Sequence, residues 1–242
     1  MSLPRRPLVI GHKGAAAVAP ENTLASFAKA MELGAGGLEC DIRATSDGVP
    51  VIIHDATLDR TTDARGEVAA LTLAQVKAAD ASLGMPGFRG ERVPTLEELL
   101  TLVAGRCLLA LEFKTMDAVG PSVPILREHD AASWCTAWAF NAEVLRELKR
   151  LLPGLTRTQN VGRVESWEAV VAVARELECV AVSLEHHLVD AERVASAHEA
   201  GLRVYCWTAN QPEDWGRLIA CEVDGITTDD PGGLIAYLDG LG

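Results

Sequence analysis

The chain has 242 residues, 48% hydrophobic and 23% charged, a globular composition close in size to one (β/α)8 barrel of ~250 residues. Its formal net charge of -12, with no basic run longer than Arg5-Arg6, argues against nucleic acid and anionic membranes as partners. No apolar run nears the ~20 residues of a membrane helix, and "MSLPRRPLVI" lacks the apolar region of a secretory signal, so the expectation is a cytoplasmic protein without stable membrane insertion.

In chain order, the first strand reads at 8–11 (LVIG) and stops abruptly at Gly11-His12-Lys13-Gly14. "ENTLASFAKAMELGA" follows with helical spacing and Gly34 as its stop. Strands are predicted at 37–42 (GLECDI) and 49–54 (VPVIIH). The turn-rich stretch 55–94 breaks the rhythm and reads as an insertion over one end of a barrel, with Leu71, Leu73, Leu83, Met85 and Phe88 packing onto it. Further strands read at 107–113, 134–140, 155–161, 179–184, 202–208 and 223–229. Between them lie helical segments such as "NAEVLRELKRLLPG", "SWEAVVAVARELE", "DAERVASAHEAG" and "QPEDWGRLIAC". Near-continuous apolar strands alternating with helices point to a parallel sheet covered by helices. Taking 37–42 and 49–54 as one unit gives eight strand–helix units, which favours a closed (β/α)8 barrel in one domain over 1–242. An open dinucleotide-binding sheet is disfavoured, since "GHKGAA" lacks the G-x-G-x-x-G spacing. The six cysteines form no CxxC pair and are expected as reduced core residues.

Side chains two apart on a strand share a face, so Glu39 and Asp41 point one way and Cys40 the other. Glu112 and Lys114 share a face by the same rule. Buried carboxylates on barrel strands are costly unless paired or bound to a cation. Glu39, Asp41 and Glu112 together suit a hard divalent ion, Mg2+ or Ca2+, with Mn2+ also compatible. A lone ExD near a strand end is usually just surface charge, and a lone histidine after a strand is more often a hydrogen-bonded loop residue than a catalyst. Here, however, His12, Glu39, Asp41, His54, Glu112, Lys114, Trp207 and Asp229 all follow the C-terminal ends of predicted strands, the face that carries barrel active sites. A cation with Lys13 and Lys114 beside it would bind a phosphate, and two histidines would supply a base for the nucleophile and an acid for the leaving alkoxide. That equipment suits phosphodiester cleavage.

The blocks "GHKGAAAVAPENTLASFAKAMELGAGGLECDIRATSDGVPVIIHDATLDRTT", "TLEELL", "LEFK", "GLRVYCWTAN" and "DGITTDDP" resemble the glycerophosphodiester phosphodiesterase family, in order and over most of the chain. The resemblance implies a TIM barrel with an insertion after the second strand, and a small-molecule glycerophosphodiester substrate cleaved to glycerol 3-phosphate and an alcohol. It implies Glu39, Asp41 and Glu112 as metal ligands, His12 and His54 as the acid–base pair, Lys114 at the phosphate and Trp207 at the glycerol end of the pocket. It also points to the cytosolic branch of the family, and a homo-oligomer is compatible with it. The family's usual His-Arg-Gly is His12-Lys13-Gly14 here, which keeps the charge but loses the planar fork of arginine. Water attack on phosphorus and attack by the glycerol 2-hydroxyl through a cyclic phosphate both fit these residues. Lysophospholipase D activity and a non-catalytic phosphate-binding barrel are the alternatives. Retention of both histidines and all three carboxylates argues against the latter.

Overall fold

The structure is a computed structural model and describes residues 6–241; residues 1–5 and 242, with Arg5 of the basic pair, lie outside the described residues. Its elements are β1 (Leu8–His12), α1 (Leu24–Glu32), β2 (Gly37–Ala44), β3 (Pro50–Ile52), α2 (Leu73–Ala78), α3 (Leu96–Val103), β4 (Leu108–Phe113) and α4 (Val119–Glu128). They continue as β5 (Cys135–Ala139), α5 (Ala142–Leu151), β6 (Thr156–Val161), α6 (Trp167–Glu176), β7 (Ala181–Glu185), α7 (Ala191–Glu199), β8 (Arg203–Trp207), α8 (Pro212–Ala220), β9 (Gly225–Thr228) and α9 (Pro231–Asp239).

Eight parallel strands pair in the order β1, β2, β4, β5, β6, β7, β8, β9, and β9 pairs back onto β1, which closes the expected (β/α)8 barrel. The register sets His12 beside Glu39, Asp41 beside Glu112, and Glu112 beside Trp138. Polar strand ends that are far apart in sequence therefore meet at one level of one rim. Several helices start with a side-chain cap, among them Thr23, Thr95, Asn141, Ser166 and Asp190, which accept from first-turn N–H groups as such residues do at helix starts.

β3 departs from the barrel. It runs antiparallel to the last residues of β2, with Ile42 beside Ile52 and Ala44 beside Pro50. The tight turn before it uses Gly48 at φ +77°. His54 therefore comes down to the rim from a strand that runs against the barrel, rather than rising off the end of a barrel strand.

The apolar residues fall into separate layers. Leu38, Cys40 and Ile42 of β2 face outward and join the core between strands and helices, with Phe27, Leu99 and Leu100. Inside the barrel, Ile10, Ala110, Trp138, Ala181 and Tyr205 form a plug, with Trp138 stacked on Tyr205 at 5.5 Å between ring centroids. The barrel is thus a filled core with a floor beneath its mouth. Leu71 and Leu73 pack against a third small core built from Val51, Ile53, Leu58, Val68, Val76, Ala79, Ala81 and Val93. This corrects the expectation that they pack onto the barrel: β3 carries Val51 and Ile53 out of the main core and gives these leucines their own. Leu83 is exposed, and Met85 and Phe88 are half-buried. Among the described residues no helix is long and apolar enough to cross a membrane.

Cys40 is fully buried in the strand–helix layer, on the face opposite Glu39 and Asp41. Cys40→Ala leaves a small void there, so thermal denaturation should show a loss of about 1–3 kcal/mol. The kcat of the same variant should stay within about twofold of the wild type; a larger drop would mean that the sulfur reaches the mouth.

Candidate active site

The loop after β1 is built for close approach. A Cβ on Gly11 would lie 2.3 Å from the Gly14 carbonyl oxygen, and one on Gly14 would lie 2.4 Å from Ser26 Oγ, so neither position admits a side chain without rearrangement. Lys13 between them adopts φ +52° and Asn22 adopts φ +56°, uncommon conformations for residues with a Cβ. The Lys13 carbonyl accepts from the Asn22 N–H at 3.0 Å and from Ser26 Oγ at 2.8 Å. These bonds hold the strained turn against the start of α1. Its reward is geometric: the Lys13 N–H is aimed at Glu39 Oε2, 3.1 Å away.

Glu39, Asp41 and Glu112 are all buried, and each offers an oxygen within 4.8 Å of the others'. Lys114 pairs with Glu112 and reaches Asp41 Oδ1 at 3.2 Å. Asn22 Nδ2 donates to Asp41 Oδ2 at 2.8 Å, and Asn160 Nδ2 donates to Glu112 Oε2 at 3.0 Å. The charges remain unequal. Burial, and then the Asp41 and Glu112 charges, push the Glu39 carboxyl well above the ordinary glutamate range. Burial and Asp41 likewise raise Glu112. Burial acts the same way on Asp41, but Lys114, His54 and Lys13 outweigh it and hold that carboxyl low. Burial would lower the Lys114 ammonium, yet Asp41 and Glu112 raise it. Three crowded oxygen donors with too little positive charge among them match a hard divalent cation in number and chemistry.

Two imidazoles flank this cluster, each backed by an aspartate. His12 Nδ1 lies 2.6 Å from Asp229 Oδ1, and its Nε2 is 3.9 Å from Glu39 Oε2. Asp229 is held in turn by Asn210 Nδ2 at 2.6 Å. His54 Nδ1 lies 2.7 Å from Asp55 Oδ1. Arg60 grips Asp55 through Nε at 2.6 Å and also forks onto Glu21 at 2.7 and 2.8 Å. The Arg60 hydrogen bond is the main reason the Asp55 carboxyl sits far below its usual range. Glu21 accepts from Lys13 Nζ as well, at 3.2 Å. Burial alone would raise the Glu21 carboxyl, but Arg60 and Lys13 hold it low. A chain of polar contacts thus runs from His54 through Asp55, Arg60 and Glu21 to Lys13.

Of the residues singled out from sequence, His12, Lys13, Glu39, Asp41, His54, Glu112, Lys114 and Trp207 line one cavity of about 300 Å3, while Asp229 stands behind His12. That is the small end of the usual range for a ligand pocket. Trp207 forms one wall, with its Nε1 donating to the Ser183 carbonyl at 3.1 Å and Phe140 set edge-on against its ring. Trp138 closes the floor. Trp138, Asn160 and Thr227 line this cavity, and their Nε1, Oδ1 and Oγ1 atoms are buried with no protein hydrogen-bond partner among the described residues. Buried polar groups of this kind are normally satisfied, by the protein or by ordered water.

Sequence reasoning passed over Glu21, Asn22, Asp55, Arg60, Asn160 and Asn210. Asp55 had a local signal, since it directly follows His54. Asn160 had none: it is one polar residue on a strand that also carries Thr156, Thr158 and Gln159.

The Glycerophosphoryl diester phosphodiesterase family profile matches residues 12–233. The chain is 36% identical over 239 residues to the glycerophosphodiester phosphodiesterase of Caldanaerobacter subterraneus subsp. tengcongensis, covering 95% of this chain and 97% of that protein. Its fold matches an Oleispira antarctica phosphodiesterase in complex with the product sn-glycerol-3-phosphate, at TM-score 0.89 and 30% identity over 96% of this chain and 97% of that one. A glycerophosphodiester phosphodiesterase from Agrobacterium tumefaciens aligns at TM-score 0.85 and 25% identity, over 96% of this chain and 100% of that one.

Proposed function

The chain belongs to the glycerophosphoryl diester phosphodiesterase family, and from that membership we propose that it hydrolyses glycerophosphodiesters to glycerol 3-phosphate and an alcohol, with His12 and His54 as the acid–base pair. The observation that carries this reading is the pair of aspartate-backed imidazoles on either side of one buried carboxylate cluster, in a single cavity. Glu39, Asp41 and Glu112 would hold a divalent cation, which when bound supplies charge neutralisation and polarises a phosphoryl oxygen.

The protein's own groups do the rest. Lys114 and Lys13 present positive charge to the phosphate. Asp229 and Asp55 fix the Nδ1 side of each imidazole, which leaves each Nε2 free for the substrate. One histidine takes the proton of the attacking hydroxyl and the other returns a proton to the leaving alkoxide. The Trp207 ring on the cavity wall suits the carbon face of a polyol. The six cysteines are free, which fits a reducing compartment, and the cytoplasm is the proposed location.

The test is turnover of glycerophosphocholine and glycerophosphoethanolamine, with and without added Mg2+, Ca2+ or Mn2+. Cation-dependent release of glycerol 3-phosphate is expected; no turnover with any cation would overturn the reading. A second reading rests on Phe140, a large apolar residue 48% exposed that lines the cavity beside Trp207. It favours an acyl chain, as in lysophospholipase D activity. Faster turnover of lysophosphatidylcholine than of glycerophosphocholine would select it.

Lys13 gives a sharper test of the phosphate contact. A charge-assisted hydrogen bond is worth ~1.5–3 kcal/mol. Lys13→Ala should therefore lower kcat/KM by roughly ten- to a hundredfold, while Lys13→Arg should keep it within a few fold. A loss below about twofold in the alanine variant would reduce Lys13 to a partner of Glu21.

A further inference from the structure

β7 ends in Glu185, and the short turn after it carries His186 and His187. None of the three lines the catalytic cavity. Glu185 Oε1 lies 2.8 Å from His187 Nδ1 and 3.6 Å from His186 Nε2. The two imidazole rings lie 3.8 Å apart between centroids, and the three residues offer ligand atoms that all lie within 4.8 Å of one another. The turn itself is fixed, because Glu185 Oε2 accepts the His187 N–H at 3.0 Å and Arg217 donates to the His186 carbonyl at 3.0 Å.

We propose that Glu185, His186 and His187 form a second cation site, specific for a transition ion of the Zn2+ class and separate from the carboxylate cluster at the mouth. The donor set decides the class. One carboxylate and two imidazoles suit Zn2+, Co2+ or Ni2+, whereas Mg2+ and Ca2+ demand oxygen. Zinc bonds of ~2.0–2.1 Å in tetrahedral geometry set ligand atoms roughly 3.3–3.4 Å apart. The two contacts to Glu185 Oε1 bracket that spacing, so a bound ion asks for shifts of about half an ångström and replaces the existing hydrogen bond to His187. Nδ1 of His186 is buried without a hydrogen-bond partner and lies 3.4 Å from Asp214 Oδ1. Metal-binding histidines commonly turn their other ring nitrogen to a carboxylate in this way. With Nε2 of His186 on the ion, its Nδ1–H points to Asp214. Asp214 is shared with Arg217 at 3.4 Å, so its charge is partly balanced. The His187 side chain is 74% exposed, which gives the ion an entry path and leaves water for its remaining positions. Glu185 pairs in register with Trp207 of β8, so an ion here would pin the strand end that supports one wall of the cavity.

The experiment is equilibrium dialysis of the untagged full-length protein against Zn2+, in millimolar Mg2+ to occupy the carboxylate cluster. The wild type should bind one equivalent of Zn2+ more than His187→Ala, and Glu185→Gln should lose the same equivalent. Co2+ in place of Zn2+ should give a visible absorption band in the wild type that is missing from both variants. Equal Zn2+ stoichiometry in the wild type and His187→Ala would overturn the proposal, as would a Co2+ band that survives in both variants. Because the readout is binding, it stands or falls independently of phosphodiesterase activity.

Discussion

His12→Ala and His54→Ala should each lower kcat by about 10²–10⁴-fold with little change in KM, since proton transfer acts in the transition state. The geometry makes the expectation specific. Each imidazole is fixed through Nδ1 by an aspartate, at 2.6 Å for His12 and 2.7 Å for His54, and both rings line the cavity. Neither ring belongs to a hydrophobic core, so both variants should fold. The double variant should be only slightly worse than either single one, because two groups that serve one proton relay are not additive. Asp229→Asn, which keeps the shape behind His12 and removes the charge, should fall between wild type and His12→Ala. Single variants within tenfold of wild-type kcat would remove the pair from the chemistry.

Glu39→Gln should reverse its effect on stability according to the cation present. In the metal-free protein, burial with Asp41 and Glu112 raises the Glu39 carboxyl above its ordinary range. The folded chain then holds that proton more tightly than the unfolded chain does. The carboxyl therefore costs nothing below the ordinary glutamate range, and it destabilises the fold increasingly as pH rises through the raised pKa. At neutral pH the metal-free glutamine variant should thus melt above metal-free wild type. Saturating Mg2+ or Ca2+ should invert the order. A cation at a hundred times its dissociation constant stabilises the wild type by about 2.7 kcal/mol, and the variant, with a ligand missing, should gain far less. Turnover should fall to background in the variant and in the chelated wild type alike. Melting curves of the two proteins that stay parallel with and without cation would show that the cluster binds none.

The barrel could be read from sequence because its strands are buried on both faces and appear as apolar runs such as "LLALEF". Periodicity carries no direction, however, and for that reason the antiparallel course of β3 was not legible. α4 was missed for a different reason. Its segment "VGPSVPILRE" holds Gly120, Pro121 and Pro124, which read as turn residues. The helix survives because Pro121 lies in the first turn, where no intrahelical donor is needed, and Pro124 gives up a single bond. Strand alternation brought out the carboxylates and Lys114, and position at the strand ends brought out the histidines. It could not bring out their supports, which are joined by contacts spanning 39 residues from Glu21 to Arg60 and 48 from Glu112 to Asn160.

Arg60 has a consequence for how this protein can be recombined. Residues 51–95 have a small core of their own and would be a natural piece to exchange with a relative. Arg60 ties that piece to Glu21 in the loop after β1, and Glu21 in turn holds Lys13. A transplanted segment whose arginine sits one turn away could still fold on its own core, yet it would leave Asp55 and Glu21 without the guanidinium that joins them across the seam. The exchangeable unit is therefore two stretches of chain, 11–22 together with 51–95, and a chimera that moves one without the other should be a well-folded protein with a misaligned histidine.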